Sequence, residues 1–348
     1  MERKLNVLLT GASGTVGIEV MRQLISHDEY NLTVFDKKTK RSTGIFAEFK
    51  NNTTVIYGDI SNENDVAQIP AGMDVAIHLA AIIPPLADDK PDLACKVNIT
   101  GTKNIIQLLE KNSPDSFLLF SSSIAVYGDR IQNPNITTQD SLNAGSEDIY
   151  AQTKIEAENL IKNSKLNWSV FRLTAIMKNH KISKLMFHMP LSTIMEICTP
   201  KDTAKAFVEA INHRNELSRH VFNLGGGEKC LITYRSFLER SFNLFGLGKV
   251  NFPEHAFAER NFHCGIYTDG YKLEKILLFR NDNIDSYFED QKLSIPAPVK
   301  FLSFLFRSII KKSLLNQSEP LKAYRTKNES LMNQFFYPKN KPVSVISI

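Results

Sequence analysis

The first 175 residues alternate between short apolar runs and longer stretches in which apolar residues recur at helical spacing. The short runs are rich in β-branched and aromatic residues and predict strands over Leu5–Thr10, Leu32–Phe35, Thr54–Tyr57, Val75–Leu79, Phe117–Ser121 and Ser169–Leu173. The clearest helical stretches are Gly14–Ser26, Asp92–Asn112 and Asp148–Asn163. Strands that alternate with helices pair in parallel, and runs that are apolar throughout indicate strands covered on both faces. The pattern predicts a doubly wound parallel sheet of the α/β class, the Rossmann fold.

The alternation loosens after about Thr174. Helices are predicted over Lys201–Asn212 and Thr233–Phe245, with a strand over His220–Leu224 and a flexible glycine turn directly after it. We therefore expect three parts: a Rossmann domain over residues 1–175, a smaller and mostly helical region over residues 176–295 that is interleaved with the last strands, and residues 296–348. The last part consists of an amphipathic helix and a polar tail, and we expect poor order after Gln317.

The amphipathic stretch Pro296–Leu315 combines a run of apolar residues with four cations. The apolar residues are Phe301, Leu302, Phe304, Leu305, Phe306, Ile309 and Ile310, and the cations are Lys300, Arg307, Lys311 and Lys312. It is too short and too charged to span a bilayer. A helix packed on the body is the ordinary interpretation, while a dimer contact and a helix lying on a membrane surface are the alternatives.

Composition narrows the functional classes. The chain has 348 residues, 43% of them hydrophobic, which allows a large core, and its net charge of +5 is mild. No basic block with interleaved aromatics is present, so we expect no nucleic-acid partner. The four cysteines are far apart in sequence and form no Cys-x-x-Cys pair, which predicts neither a disulfide framework nor a metal site. A cytoplasmic location fits this usage, and the start of the chain lacks the pattern of a signal peptide.

A glycine turn follows the first predicted strand and opens the first predicted helix. Gly11, Gly14 and Gly17 have the spacing that permits a tight turn and a close approach of the backbone to a pyrophosphate. Free N–H groups at the start of the helix attract phosphates, so Ser13, Thr15 and Val16 belong to the predicted site. Asp36 ends the second strand, 19 residues after Gly17, where an acid is expected to bind the adenosine ribose. This arrangement predicts NAD as the cofactor.

NADP stays open as the alternative cofactor. A carboxylate at Asp36 repels a 2′-phosphate, but Lys37, Lys38 and Arg41 follow it directly and could hold one.

Tyr150 and Lys154 are the candidate catalytic pair. Residues four apart on a helix share a face, so the lysine ammonium is expected to lower the pKa of the tyrosine phenol, with the positive nicotinamide ring adding to the effect. Ser123, near the end of the fifth predicted strand, is expected to hold the substrate oxygen for proton transfer. Together with the glycine turn, these residues predict hydride transfer to or from a nicotinamide.

In these motifs the chain resembles an extended short-chain dehydrogenase/reductase of the NAD-dependent epimerase/dehydratase type. The resemblance covers about residues 5–225. It rests on Gly-Ala-Ser-Gly-Thr-Val-Gly (11–17), Gly-Asp-Ile (58–60), His-Leu-Ala-Ala (78–81), Val-Asn-Ile-Thr-Gly-Thr (97–102), Ser-Ser-Ser-Ile-Ala-Val-Tyr-Gly (121–128) and Tyr-Ala-Gln-Thr-Lys (150–154).

The resemblance implies further roles. Asp59 would bind the adenine amine with Ile60 beside the ring, and Asn98 would lie near the nicotinamide end. The backbone that would line the cofactor belongs to Leu79, Ala80 and Ala81. Substrate contacts are expected from Ser123, Tyr127 and Thr174, with ordinary packing as the alternative for Tyr127. The family also implies a homodimer through the predicted helices Asp92–Asn112 and Asp148–Asn163.

The sequence departs from the family pattern at two places. Ser123 is followed by Ile124 and Ala125 rather than by the acidic pair of the dehydratases, which favours epimerisation or simple oxidoreduction. The asparagine that holds the diphosphate of a nucleotide sugar is absent after the sixth strand, where Asn179 comes later.

The stretch that follows Asn179 offers a different way to hold a substrate. It carries Lys178, His180, Lys181, Lys184 and His188, which could bind an anionic substrate or form a solvated loop. Arg260, His263 and Tyr267 are further candidates to close the site.

Three hypotheses follow from the sequence. The leading one is an NAD(P)-dependent oxidoreductase or epimerase that acts on a small molecule, with a nucleotide sugar as one candidate substrate. A non-catalytic protein that senses NAD(P) on the same fold is the second. The third is a scaffold or membrane-surface role through Pro296–Leu315, which could coexist with catalysis.

Overall fold

The computed structural model of the chain describes residues 3–145, 148–178, 182–260 and 263–336. Its strands are β1 (Leu5–Thr10), β2 (Tyr30–Asp36), β3 (Thr53–Tyr57), β4 (Val75–His78), β5 (Phe117–Ser123), β6 (Asn135–Ile136), β7 (Asn167–Leu173), β8 (Ala175–Ile176), β9 (Ile194–Cys198), β10 (His220–Leu224), β11 (Leu231–Thr233) and β12 (Ile266–Tyr267).

The helices follow the same chain order. They are α1 (Thr15–Ile25), α2 (Lys40–Ala47), α3 (Glu63–Val66), α4 (Leu86–Asp89), α5 (Pro91–Cys95), α6 (Gly101–Asn112), α7 (Ile149–Lys162), α8 (Pro200–Glu209), α9 (Arg214–Leu217), α10 (Tyr234–Leu244), α11 (Tyr271–Leu277), α12 (Ile284–Ser294), α13 (Ala297–Leu305), α14 (Arg307–Leu315), α15 (Glu319–Thr326) and α16 (Glu329–Phe335).

A seven-stranded parallel sheet forms the centre of the molecule, with strand order β10-β7-β5-β4-β1-β2-β3. The strand order reverses direction at β1, and in such sheets ligands bind beyond the carboxyl ends of the strands at this switch point. The doubly wound Rossmann architecture predicted from the sequence is confirmed. The chain leaves the sheet after β7 and returns to it with β10, so the later region is interleaved with the last strands.

Alternate residues of the strands bury opposite faces of the sheet. Val7 and Leu9 join the core under α1 and α8, whereas Leu8 joins the core under α6 and α7. Both faces are therefore covered, which is why the strands are apolar at nearly every position.

The predicted helix Asp92–Asn112 is interrupted. Its first part is α5, its last part is α6, and a π-helical turn over Lys96–Thr100 joins them. Such turns often occur at functional sites, and this one carries Asn98.

A smaller region follows the Rossmann sheet. It contains a three-stranded sheet of order β11-β9-β8 and the pair β12-β6. The core of this region is built from aromatic side chains of α10 and α12, including Phe237, Phe242 and Phe288, together with Leu314 of α14.

The stretch predicted as one amphipathic helix forms two helices, α13 and α14, which break at Phe306. α13 contacts the body through its backbone at Gly246, but no residue of α13 is buried, so its apolar side chains do not join a core. Only α14 reaches the core, where Leu314 is buried and Ile310 and Leu315 are half-buried.

The expectation of poor order after Gln317 is wrong for residues 319–335. Ser318 and Asn328 cap the first turns of α15 and α16 with their side chains, which satisfies N–H groups that would otherwise lack partners. Ala323 and Phe335 then form a small core with Ala258. Within the described residues, no helix is both long and apolar enough to cross a membrane.

Candidate active site

The glycine turn lies between β1 and α1 and leaves no room for side chains. Gly11 has φ +71°, and a Cβ there would come within 2.6 Å of the backbone nitrogen of Ala80. A Cβ at Gly17 would collide with the carbonyl oxygen of Gly11. The turn therefore packs directly on the backbone that follows β4, as the close-approach argument requires.

The N-terminus of α1 has features that favour the binding of an anion. Gly14 is the N-cap and has no side chain to cap the helix, and the first turn contains no acidic residue. Gly14 and Thr15 are exposed while Ser13 and Val16 are half-buried, so the N–H groups of this turn stand at an accessible helix start. These features fit the pyrophosphate of a dinucleotide.

Asp36 lies directly beside the glycine turn. One carboxylate oxygen accepts the N–H of Ser13 at 2.7 Å, and the other accepts the N–H of Lys37 at 2.7 Å. The strand end thus places a carboxylate where the adenosine ribose of a dinucleotide would lie. Lys37 itself turns away to Asp59, with 3.2 Å between the ammonium and the carboxylate.

Asp59 and Ile60 follow β3 at the same edge of the sheet. The pKa of Asp59 is lowered, chiefly by its hydrogen bond from the Ser61 hydroxyl, so the group is a carboxylate at neutral pH. Ile60 is buried, and its side chain fills the space beside Gly101. The pair therefore offers a hydrogen-bond acceptor next to an apolar wall.

The backbone of Leu79, Ala80 and Ala81 leaves β4 half-buried beside the glycine turn. His78, which sequence reasoning quoted only as part of a motif, holds this exit in place. Its imidazole is buried and bonds the hydroxyls of Thr10 (2.7 Å) and Thr102 (2.9 Å). Burial, and then the charge of Lys154, lower the pKa of His78 to about 3, so the ring is neutral and joins β1, β4 and α6.

Asn98 connects this exit to α7. Its amide oxygen accepts the N–H of Ile82 at 2.8 Å, and its amide nitrogen donates to the Ile82 carbonyl and to the Thr153 hydroxyl. The side chain is buried and its amide groups are taken by Ile82 and Thr153, so Asn98 positions these two residues.

Ser123, Tyr150 and Lys154 are brought together at the carboxyl end of β5. The hydroxyls of Ser123 and Tyr150 share a hydrogen bond. The ammonium of Lys154 donates to the Ser121 carbonyl at 2.8 Å and lies 5.9 Å from the centre of the Tyr150 ring. Asp148 caps α7 by accepting the N–H of Ala151, which fixes the helix turn that carries the tyrosine.

The pKa of Tyr150 differs from the expectation. Burial raises it to about 12, with Asp148 acting in the same direction, and the hydrogen bond with Ser123 compensates only in part. Burial also lowers the pKa of the Lys154 ammonium, to about 7. The expected lowering of the Tyr150 pKa by Lys154 is therefore not found in the protein alone, and a bound positive nicotinamide ring would favour the phenolate.

The buried lysine gives a pH-dependent prediction. Its pKa of about 7 in the folded chain lies below the value of about 10.4 in an unfolded chain, so the unfolded chain holds the extra proton between these values. The cost of burying the ammonium is therefore largest below about pH 7 and disappears as pH rises towards about 10. We expect the free energy of unfolding of Lys154→Met to exceed that of the wild type by the largest amount at acid pH. Urea unfolding of both proteins across this range measures the difference, and a difference independent of pH would contradict the assigned pKa.

A buried network supports the site from behind. The guanidinium of Arg172 donates twice to the Glu158 carboxylate, at 2.9 and 2.8 Å, and once to the Tyr127 hydroxyl at 2.7 Å. Glu158 also accepts the Ser122 hydroxyl at 2.6 Å, and Tyr127 donates to Asn223. The network links β5, α7, β7 and β10, and sequence reasoning missed it because its members are far apart along the chain.

Two predicted substrate residues lie elsewhere. Tyr127 is 2% exposed, and its hydroxyl both accepts from Arg172 and donates to Asn223, so it packs in the network and does not face a substrate. The hydroxyl of Thr174 donates to the Glu196 carbonyl at 2.6 Å, and the residue is buried between β7 and β9. Of the three predicted substrate residues, only Ser123 remains at the site.

In the part of the basic stretch after β8 that the structure describes, the cationic side chains lie next to carboxylates. Lys178 pairs with Glu19 at 2.6 Å, and both Lys184 and His188 lie 3.0 Å from Glu319. Asn179, His180 and Lys181 lie outside the described residues.

The rim beside Tyr150 has an apolar part and an ionisable part. The segment after Ile82 exposes Ile83 and Leu86, and α4 packs against α7. His263 lies 3.5 Å from the Asp148 carboxylate, which brings it to the start of α7. Of the other candidates to close the site, Tyr267 is buried and Arg260 is half-buried.

A glycine turn with an uncapped helix start, a carboxylate beside it, and a Ser–Tyr–Lys group formed by β5 and α7 lie at the carboxyl edge of one parallel sheet, where proteins of this architecture bind ligands. Residues 8–175 match the 3-beta hydroxysteroid dehydrogenase/isomerase family. This match agrees with the resemblance of the motifs to the extended short-chain dehydrogenases/reductases of the epimerase/dehydratase type.

Two curated relatives match less than half of the chain each. One is the N-acetyl-alpha-D-glucosaminyl-diphospho-ditrans,octacis-undecaprenol 4-epimerase of Escherichia coli O157:H7, which is 33% identical over 160 residues, or 45% of this chain and 43% of the relative. The other is human 3 beta-hydroxysteroid dehydrogenase type 7, which is 30% identical over 128 residues, or 36% of this chain and 34% of the relative. The matched part thus spans less than half the length of either relative.

Solved structures extend the likeness in fold. The UDP-glucuronic acid 4-epimerase from Bacillus cereus, solved in complex with NAD, superposes with a TM-score of 0.68 and covers 83% of this chain and 95% of its own. The sequence identity is 19%, so this likeness concerns the fold.

Proposed function

We propose that the protein is an NAD-dependent oxidoreductase or epimerase that transfers hydride at a substrate carbinol, with Tyr150 as the general base. The observation that carries the proposal is the continuous set of contacts from the glycine turn to the catalytic group. Gly11 packs on Ala80, His78 accepts the Ser121 hydroxyl at its carbonyl, and Ser121 accepts Lys154 at its own carbonyl. A cofactor on the turn and a proton acceptor on α7 are thereby held at one edge of the sheet.

Each residue of the group has a separate task. Ser123 holds the substrate oxygen. Tyr150 removes the proton from that oxygen as hydride leaves the carbon to which the oxygen is bonded. The cofactor, when bound, supplies the hydride acceptor. Lys154 stands behind the phenol and can also reach the nicotinamide ribose once its bond to the Ser121 carbonyl is exchanged. Asn98 and Asp148 keep α7 in place, through Thr153 and Ala151 respectively.

NAD is proposed as the cofactor because Asp36 lies beside the glycine turn and Lys37 pairs with Asp59. We expect Asp36→Ser to raise the affinity for NADPH relative to NADH by about tenfold to a hundredfold, which corresponds to one or two charge-dependent contacts. The measurement is the ratio of the two dissociation constants by calorimetry. Asp28→Ser, which removes an exposed carboxylate elsewhere, is the control and should leave the ratio unchanged. A wild-type protein that already prefers NADPH would overturn the assignment.

Epimerisation or simple oxidoreduction is proposed rather than dehydration. The residues after Ser123 are Ile124 and Ala125, both buried, so no acid stands there to protonate a leaving hydroxyl. A substrate deuterated at the reacting carbon separates the two branches. An epimerase returns the label to the product without net change of the cofactor, whereas a dehydrogenase leaves the label on the released cofactor. A product that has lost water would refute both.

The substrate is proposed to carry an apolar body next to its reacting ring. The rim exposes Ile83 and Leu86, while the described cations of the loop after β8 are paired with carboxylates and are not free for a diphosphate. The relatives named above include an enzyme of a lipid-linked sugar and an enzyme of a 3-beta-hydroxysteroid. A panel of a 3-beta-hydroxysteroid, a polyprenyl-diphosphate sugar and a UDP-sugar tests this, and turnover of the UDP-sugar alone would contradict it.

The homodimer and the cytoplasmic location remain proposals. The outer faces of the helices predicted to form the dimer are polar, with Lys103, Gln107 and Lys111 exposed on α6 and Gln152 and Glu156 exposed on α7. A dimer through these helices would therefore be weak and dependent on salt, which sedimentation equilibrium at low and high salt would measure.

A further inference from the structure

The consecutive helices α13 and α14 meet at a break at Phe306; this segment, called the C-terminal hairpin below, presents an apolar surface to solvent. At least 45% of the surface of each of these side chains is accessible: Val299, Phe301, Leu302, Phe304, Leu305, Phe306 and Ile309. Contiguous apolar patches of this kind are uncommon on monomeric proteins and mark places where another phase or molecule binds.

The hairpin is held in this orientation by its backbone and by its second helix. A Cβ at Gly246 would lie 2.6 Å from the carbonyl oxygen of Lys300, so the main chain of α13 packs directly on this glycine. Leu314 and Ile310 anchor α14 in the core near Phe252. Because α13 approaches the body with its backbone at Gly246, its apolar side chains stay on the solvent side.

Cations surround this apolar surface, and acids are missing from it. Between Asp290 and Glu319 the chain contains Lys300, Arg307, Lys311 and Lys312 but no Asp or Glu, while Lys292 at the start of this stretch pairs with Glu289 at 3.3 Å. A second copy of the chain is a poor occupant, because a two-fold contact would place these cations against one another. The complementary partner is an apolar phase with negative charges at its boundary.

A groove at the side of the hairpin concentrates the same charges. It has a volume of about 580 Å³, and four cations line it: Lys249, Arg307, Lys311 and Lys312. Lys311 is committed to the Lys249 carbonyl and to Asn251, and Arg307 stacks on the Phe304 ring at 4.8 Å. Phe252 and Leu315 add apolar lining, so the groove offers cations next to hydrocarbon, as a lipid headgroup requires.

We propose that the C-terminal hairpin is an interfacial anchor that seats the protein on an anionic phospholipid surface. The apolar side chains of α13 enter the boundary of the acyl chains, and Lys300, Arg307 and Lys312 contact the lipid phosphates. The hairpin lies on the membrane and does not span it. This anchor is independent of the hydride chemistry, so either could fail without the other.

Co-sedimentation of the full chain with vesicles tests the anchor. Phosphatidylcholine vesicles that contain phosphatidylglycerol should pellet the protein, those of phosphatidylcholine alone should pellet much less, and high salt should weaken both. Each cation near an anionic surface contributes about fivefold to the partition coefficient. The exchange Lys300→Glu with Lys312→Glu should therefore weaken binding at least about twenty-fivefold.

A second variant tests the apolar contribution. Phe301→Ser, Leu305→Ser and Ile309→Ser together should abolish pelleting without lowering the unfolding temperature, since all three side chains are more than half exposed. The matched controls lie outside the hairpin: Tyr271→Ser for an exposed apolar residue, and Lys50→Glu with Lys111→Glu for exposed cations. The controls should bind as the wild type does. Equal pelleting of all variants, or loss of self-association in place of loss of vesicle binding, would overturn the proposal.

Discussion

Tyr150→Phe is expected to lower kcat by about 10³-fold, within the range of about 10² to 10⁴ that a positioned general base contributes. The phenyl ring keeps its place on α7, but no group remains to take the proton from the substrate oxygen that Ser123 holds. The dissociation constant for NAD should change less than about twofold, because an interaction made only in the transition state is lost. Stopped-flow turnover with the substrate that the panel identifies, together with calorimetry for NAD, separates the two effects.

Tyr271→Phe is the matched control for this variant. It removes a phenol that is 49% exposed and should leave both values unchanged. Near-normal turnover of Tyr150→Phe would mean that another group takes the proton, and the assignment of the base would be abandoned.

Glu158→Gln is expected to destabilise the fold by about 3–5 kcal/mol. The substitution leaves the buried guanidinium of Arg172 without its counter-charge and replaces the carboxylate that accepts the Ser122 hydroxyl by an amide. Urea unfolding measures the loss. Lys162→Met is the matched control. It removes the half-buried second partner of the Glu158 carboxylate and should lower the free energy of unfolding by less than about 1 kcal/mol.

A double variant and a pH series make this prediction specific. Glu158→Leu with Arg172→Met removes both charges and should recover much of the stability lost by Glu158→Gln. Burial alone would raise the pKa of Glu158, but Arg172 and Lys162 hold it below its ordinary value. The carboxylate therefore stabilises the fold above its unfolded pKa of about 4.3 and stops doing so as pH falls through its folded pKa. If the wild type remained more stable than Glu158→Gln by the same amount in acid, the assigned role of the Glu158 carboxylate would be contradicted.

The Rossmann half could be predicted because its determinants are local. The first short apolar run predicted a strand with the same bounds as β1. The glycine spacing located the turn that packs against Ala80. The same locality explains the error in the predicted helix Asp92–Asn112. A π-helical turn differs from an α-helix by a single extra residue, and no pattern of apolar positions around Asn98 reveals it.

The environment of the site could not be predicted in the same way. Tyr127 and Thr174 stand at positions that suggest a substrate, yet their hydroxyls are taken by Arg172 and by the Glu196 carbonyl. These partners come from other strands, so their contacts depend on the fold as a whole. The raised pKa of Tyr150 and the lowered pKa of Lys154 have the same origin, because burial of each side chain is a tertiary property that the spacing of the two residues does not report.

For the C-terminal hairpin, the composition could be read from the sequence but the contacts could not. Whether an amphipathic helix packs on its own protein depends on the surface offered to it. Here Gly246 contacts the backbone of α13 and leaves the apolar side chains outside.

The most direct test of the central claim is single-turnover reduction of bound NAD by a carbinol substrate, followed by the absorbance of the reduced nicotinamide in the wild type and in Tyr150→Phe. The account predicts that both proteins bind NAD equally well. It also predicts that the wild type reduces it with at least one member of the panel, and that Tyr150→Phe does so about 10³-fold more slowly. Equal rates in the two proteins, or no binding of NAD by either, would contradict it.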